Sequence, residues 1–243
     1  MGKRIRVQRR GRGGPTFRSS SHKRVAQAQY PLLEGRQYTD AIIEGKIESI
    51  VHDPGRGTPL ALITFENGIE CHMIIPEGVF EGQNVQMGSR ASVDVGNILP
   101  LIGIPEGTMI CNIELRPGDG GKVAKSSGAY ATVVGHTSQG TIVKLPSGKT
   151  KYLNDHCRAT VGVVSGAGRT EKPFLKSGAK FHWMKAKGHK YPRTRGRAMI
   201  AAVHPYGSSK RGARKVTTVS RHAPPGRKVG LIAARGTGKG KRR

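Results

Sequence analysis

The feature that most constrains this chain is where its carboxylates are not. All 15 Asp and Glu residues lie between Glu34 and Glu171, a segment that also holds 12 Lys and Arg. Residues 1–33 carry 9 cations and residues 172–243 carry 21, with no acid in either stretch. Like charges with no counter-charge repel one another in a compact state. Neither end is expected to condense alone, so a packed fold must be sought in the nearly neutral middle. The formal net charge of +27 thus describes two acid-free arms around a balanced core, a pattern typical of polyanion-binding extensions.

The middle reads as all-β. "AIIEGKIESIVHD" (41–53) partly alternates apolar and polar residues, with Ile43, Ile47 and Val51 as inward candidates. In "PLALITFENGIECHMIIPEG", Asn67-Gly68 separates two apolar runs, which predicts a hairpin with a type I′ turn. Short strands follow in "VQMGSRASVDVGNILPL" and "GTMICNIEL", so the segment 38–118 is expected to close as an OB-fold barrel. After a flexible "RPGDGGK" (116–122), "GAYATVVGH", "GTIVKLPSGKTKYL" and "CRATVGVV" give further strands, with a turn at Pro146-Ser147-Gly148-Lys149. Residues 119–200 are therefore expected to form an SH3-like barrel with a basic C-terminal segment. That segment could include one short helix around 178–187, with Phe181 and Met184 at i, i+3. Residues 1–37 are expected to be a basic arm, extended and disordered without a partner, and residues 201–243 a further basic extension of irregular, locally compact structure.

Several chemistries fail on spacing. Cys71, Cys111 and Cys157 are isolated and odd in number, which fits neither a disulfide framework nor zinc. They read as buried or half-buried thiols of a reducing cytosol. No apolar h-region follows the basic start, and the most apolar stretch, "NILPLIGIP", is broken by Pro100 and Pro105, so neither a secretion signal nor a membrane span is expected. "RGTGKGK" (235–241) lacks the order of a P-loop, and "SGAGRT" (165–170) lacks the third glycine of a dinucleotide fingerprint. His156 and Cys157 are strand neighbours that point to opposite faces. His204 is the sharpest catalytic candidate, as the general base of an RNA-acting enzyme. That alternative is disfavoured, because no acid or cysteine in the last 72 residues could orient it. A hydrogen bond to a phosphate, a ribose hydroxyl or nearby backbone is the preferred role. No small-molecule substrate and no cofactor are expected.

The cations carry the stronger signal. Arginine pairs bidentately with phosphate, and neutralised phosphates release condensed counterions. Aromatic residues make up only 5% of the chain, so stacking on bases cannot be the main binding mode. No helix-turn-helix, zinc finger or basic zipper is present, and folded RNA is the partner expected. The residues expected to touch it begin in the N-terminal arm with Arg4, Arg6, Arg9, Arg10, Arg12, Arg18, Lys23 and Arg24. Lys122, Arg158, Arg169, Lys172, Lys185, Lys187, Lys190, Arg193, Arg195 and Arg197 follow. The tail adds His204, Ser208, Ser209, Lys210, Arg211, Arg214, Lys215, Arg221, Arg227, Lys228, Arg235 and Lys239.

Longer motifs carry a resemblance. "GKRIRVQRRGRGGPTFR", "NILPLIGIPEGTMICNIELRPGDGGK", "VKLPSGKTKYL", "CRATVGVV" and "APPGRKVGLIAARGTGKG" closely resemble the universal family of ribosomal large-subunit protein two, in its archaeal form, essentially end to end. The resemblance implies an OB-fold followed by an SH3-like barrel, with arms that penetrate large-subunit rRNA in the cytoplasm. It implies other large-subunit proteins and the small subunit as partners, and roles in subunit association, tRNA placement and support of the peptidyl-transferase region. Structural magnesium held with the rRNA is the one metal left open. The family's histidine of an "HPxG" segment falls on His204. This chain departs from the family pattern there: Val203 stands where the family usually has an acid, and Gly207-Ser208-Ser209 where it has a run of glycines.

Overall fold

A computed structural model of the chain describes residues 2–32, 42–207 and 218–234. It divides into two compact units, one of residues 20–175 and one formed by residues 1–19 together with 176–243. The first unit holds 15 Lys and Arg against all 15 Asp and Glu, whereas the second holds the remaining cations and no acid, so it carries the whole formal net charge of +27.

The neutral unit is all-β, an OB-fold followed by an SH3-like barrel. Its strands are β1 (Ile43–Val51), β2 (Leu60–Phe65), β3 (Glu70–Ile74), β4 (Asn84–Met87), β5 (Ile98–Pro100), β6 (Met109–Cys111), β7 (Ala131–Thr137), β8 (Gly140–Lys144), β9 (Thr150–Leu153) and β10 (Arg158–Val161). The ten strands form one continuous sheet in the order β3-β2-β1-β4-β5-β10-β6-β7-β8-β9. β10 lies between β5 and β6 and is antiparallel to both, so the last strand of the second barrel is paired to the first. All four of its residues are buried. Alternation sends Ala159 and Val161 into the larger apolar core, while Arg158 and Thr160 meet polar partners on the other face.

On β1, Ile43 and Ile47 are buried and Val51 is half-buried, and the inward position between the two isoleucines is Gly45. A Cβ there would come within 2.7 Å of the Phe65 ring on β2, so glycine makes room for that ring. The β2–β3 hairpin forms at Asn67-Gly68, but its turn is not the type I′ expected. Only Gly68 has positive φ, +76°, and its N–H donates to the Phe65 carbonyl at 2.8 Å, as in a type I turn followed by a left-handed residue. Asn67 Oδ1 accepts from the Ile69 N–H at 3.2 Å, which stabilises this geometry. The Pro146-Ser147-Gly148-Lys149 turn has the same form, with Gly148 at φ +81° and its N–H on the Leu145 carbonyl.

Residues 26–31 lie within the stretch expected to be extended and unpacked, and the structure corrects this. Ala28 and Tyr30 are buried in the two apolar cores. The Tyr30 hydroxyl shares a 2.7 Å hydrogen bond with Thr160 Oγ1, and burial drives its pKa well above the usual value. Cations grip the backbone of this strap: Arg56 Nη2 donates to the Ala26 carbonyl at 2.6 Å, Lys125 Nζ to Ala28 at 2.6 Å and Arg158 Nη1 to Pro31 at 3.1 Å.

Arg158, expected at the RNA surface, is a second correction. It is only 4% exposed. Its Nη2 and Nε donate to Glu114 Oε1 at 2.8 and 3.2 Å, and its guanidinium lies 5.2 Å from the Tyr30 ring centroid. A guanidinium enclosed this way has no path to a phosphate. The "RPGDGGK" stretch is likewise no loose linker. Glu114 accepts from the N–H groups of Gly118 and Gly120, and Asp119 from those of Leu115 and Gly121. Gly121, at φ +85°, leaves no space for a Cβ beside Asn112. Removing one member of a buried ion pair strands the other. Glu114→Ala is expected to lower the unfolding free energy by about 3–5 kcal/mol, read as a lower urea midpoint at unchanged slope. Glu48→Ala, exposed on β1, should stay within about 0.5 kcal/mol of the parent.

Candidate nucleic-acid interface

The acid-free unit is built from short pieces. Helix α1 (Arg6–Gly11) forms where neither helix nor strand was expected. Gln8 Oε1 accepts the otherwise unpaired Ile5 N–H at 3.1 Å, one half of a capping box, and Arg9 and Arg10 sit in the last turn, where cations suit the helix dipole. Helix α2 (Ser177–Ala186) falls within a residue of its expected span. It ends at Gly188, whose φ of +67° and close approach to the backbone of Phe17 and Ser19 leave no room for a side chain. Ser19 Oγ donates to the Ala186 carbonyl at 2.7 Å, and the Lys3 N–H donates to the Ala202 carbonyl at 2.7 Å, so the N-terminal segment meets residues 186–202 here. A two-residue parallel pair, β11 (Thr218–Val219) with β12 (Leu231–Ile232), completes the unit.

Apolar packing in this unit is thin. Among its described residues only Ile5, Ala186 and Val229 are buried apolar side chains. Its cations face outward instead. Arg4, Arg9, Arg10, Arg12, Arg18, Lys185, Lys190, Arg193, Arg195, Arg197, Arg221, Arg227 and Lys228 are exposed, while Arg6 and Lys187 are half-buried. Lys187 Nζ sits 4.2 Å from the centroid of the Trp183 ring, a cation–π contact within the unit. In the neutral unit, Arg24, Lys122 and Lys172 are exposed and Lys23 is half-buried. Arg169 is half-buried, with Nη2 and Nε donating to Ser127 Oγ at 2.7 and 3.0 Å, which turns its guanidinium inward. Ser208, Ser209, Lys210, Arg211, Arg214, Lys215, Arg235 and Lys239 lie outside the described residues, as does the expected domain boundary at residues 37–38.

His204 meets its own backbone. Its Nδ1 accepts the Tyr206 N–H at 3.1 Å, which puts the proton of the neutral ring on Nε2. The two rings are 5.2 Å apart and tilted, and the imidazole covers Gly196 so closely that no Cβ would fit. Burial, then the nearby Arg6 guanidinium, hold its pKa below the usual 6.5. The ring is therefore neutral at physiological pH and offers one N–H for donation.

Reasoning from the sequence missed the cations that serve the protein itself. Arg56 pairs with buried Asp53 at 2.7 Å as well as with the strap. Lys125 is half-buried, and desolvation followed by repulsion from Arg56 and Lys122 brings its pKa down to about 8. Nothing in the spacing of these residues distinguishes them from surface cations; only the carbonyls they meet do. Burial holds the thiols protonated, lifting Cys71 and Cys111 to about 12 and Cys157 to about 11. Among the described residues no group of three His, Cys, Asp or Glu could hold a metal ion, and no helix is long and apolar enough to cross a membrane.

The His204 geometry is checked by an NMR pH titration, in which its imidazole should titrate with a midpoint below 6.5. The folded state takes up this proton less readily than the unfolded chain. The stability this ring contributes is therefore complete above pH 6.5 and is lost as the pH falls from there through the lowered folded-state value.

Comparison with known proteins agrees with this architecture. A family model described as "Ribosomal Proteins L2, RNA binding N-terminal domain" matches residues 2–87, and one described as "Ribosomal Proteins L2, C-terminal domain" matches residues 94–228. The "Large ribosomal subunit protein uL2" of Korarchaeum cryptofilum is 52% identical over 244 residues, covering 100% of this chain and 98% of the relative. Its namesake in Methanothermobacter thermautotrophicus is 52% identical over 240 residues, covering 98% of this chain and 99% of the relative. That of Halorubrum lacusprofundi is also 52% identical, over 243 residues and 99% of each chain. With both halves matched and end-to-end identity of this order, the chain belongs to the uL2 family of large ribosomal subunit proteins, in its archaeal form.

Proposed function

We propose that this chain is a structural constituent of the large ribosomal subunit in the cytoplasm, which binds rRNA chiefly through its acid-free unit. The observation that carries the reading is the charge division. A neutral β unit has its own cores, while a second unit carries the whole formal net charge of +27 on a framework with three buried apolar side chains among its described residues. Phosphates would supply the missing counter-charge, and neutralising them releases condensed ions. The two barrels, within residues 20–175, orient the chain, while residues 1–19 and 176–243 reach into RNA. Other large-subunit proteins and the small subunit are its further partners, with roles in subunit association, tRNA binding and support of the peptidyl-transferase region. The predicted rRNA-contacting residues stand as proposed contacts, except Arg158, and Arg169 contributes mainly to its own fold.

His204 is assigned a positioning role rather than a catalytic one. Its Nδ1 already accepts from Tyr206, so only the Nε2–H remains to donate to a phosphate or ribose oxygen. Particles assembled with His204→Ala should form normally and keep the rate of the chemical step within about ten-fold. A loss of several orders of magnitude with intact assembly would instead identify a general base.

Affinity for large-subunit rRNA should fall by roughly 10³-fold or more between about 50 and 200 mM salt, as for a protein with some ten phosphate contacts. A nearly flat salt dependence overturns the proposal. Footprinting should show protection of defined rRNA regions; equal binding to bulk duplex would reduce the protein to a general polyanion binder.

A further inference from the structure

Two cavities adjoin within the acid-free unit. One, of about 320 Å³, is lined by Phe17, His189 and Tyr191 together with Arg6, Arg10 and Arg193. Arg6 and Arg10 come from successive turns of α1, so both reach the same side of that helix. The other, of about 350 Å³, is lined by His204 and Tyr206. Arg6, Val7 and Arg193 line both. Each volume is near the lower end of the roughly 300–1,000 Å³ that encloses a small planar ligand.

We propose that these cavities take two consecutive, unstacked RNA nucleotides, one base in each, with the phosphate that links them held by Arg6 and Arg193. The inference rests on the rRNA-binding reading and says which RNA feature is recognised. Each chamber offers aromatic rings to a base, and the wall they share offers two guanidiniums where a linking phosphodiester must pass. The unit contains no Asp or Glu side chain to repel that phosphate. On the Tyr191 side, Lys180 Nζ lies 5.6 Å from the ring centroid. On the other side, the His204 and Tyr206 rings form a tilted pair. A paired helix keeps its bases stacked and can fill neither chamber. The scarcity of aromatic residues excludes a stacking platform along the chain, but it leaves room for one such local site.

The test uses the full chain and two RNA hairpins, one fully paired and one identical except for a two-nucleotide bulge. The bulged form should bind about ten-fold tighter at equal salt, and ultraviolet crosslinks should join its unpaired bases to Tyr191 and Tyr206. Tyr191→Leu should abolish the preference while affinity for the paired hairpin stays within about three-fold; Tyr191→Phe should retain it. If the leucine variant fails to fold, exposed Arg193→Gln provides the readout: it should weaken binding of both hairpins but cost the bulged one about ten-fold more, so that the preference disappears; an equal loss on both hairpins overturns the site. Equal affinity of the parent protein for both hairpins, with rRNA binding intact, overturns the two-nucleotide site and leaves the rRNA reading standing. Failure to bind large-subunit rRNA overturns both.

Discussion

The carboxylate of Glu114 is where the neutral half of this protein is tied together. It accepts from the N–H groups of Gly118, Gly120 and Arg158 and from the Arg158 guanidinium, in a place closed to solvent. A carboxylate could not remain there unpaired. Its presence therefore fixes the turn after β6, the strand β10 and, through Arg158, the strap carrying Tyr30 and Pro31. Because β10 also joins β5 to β6, the same residue pair stands where the two barrels become one sheet. Neither barrel has a spare edge at this seam, so the pair leaves them little freedom to swing apart.

That rigidity matters because of what the other half lacks. Among its described residues the charged unit buries few apolar side chains, and backbone hydrogen bonds and glycine-enabled close approaches, such as Gly188 against Phe17 and Gly196 beneath His204, help to hold it. Helices of six and ten residues are marginal without tertiary support. Its geometry, including the paired chambers around Arg6 and Arg193, should be reinforced when phosphates screen its charge. One half brings shape; the other brings charge that needs a partner.

Within the candidate interface, the sequence was a good guide to where exposed cations without a counter-charge lie and a poor one to which individual cations are turned inward. Arg4, Arg9, Arg12, Arg193, Arg195 and Arg197 are all exposed, as acid-free surroundings imply, because no carboxylate of their own unit can draw them inward. Arg158 misled because it sits beside apolar residues in "CRATVGVV", and charge alone does not report that Glu114, 44 residues earlier, lies against it. Arg56 and Lys125 were passed over for the converse reason. Their partners are backbone carbonyls of residues 26 and 28, and every residue has a carbonyl.

By itself the sequence determined the all-β class, the two hairpins at Asn67-Gly68 and Pro146–Lys149, the short helix near 178–187, the isolated thiols and the confinement of acids to the middle. These are local matters of periodicity, turn chemistry and charge counting. Only the tertiary structure decided that the two barrels share one sheet through β10, that the strap around Tyr30 is core rather than arm, and that the Asn67-Gly68 turn keeps negative φ at Asn67. It alone brought Arg6 of the N-terminal arm beside Arg193 and His204 of the tail. Those outcomes depend on pairings between residues tens to nearly two hundred positions apart, and such pairings are set by burial and hydrogen-bond closure, which no local pattern encodes.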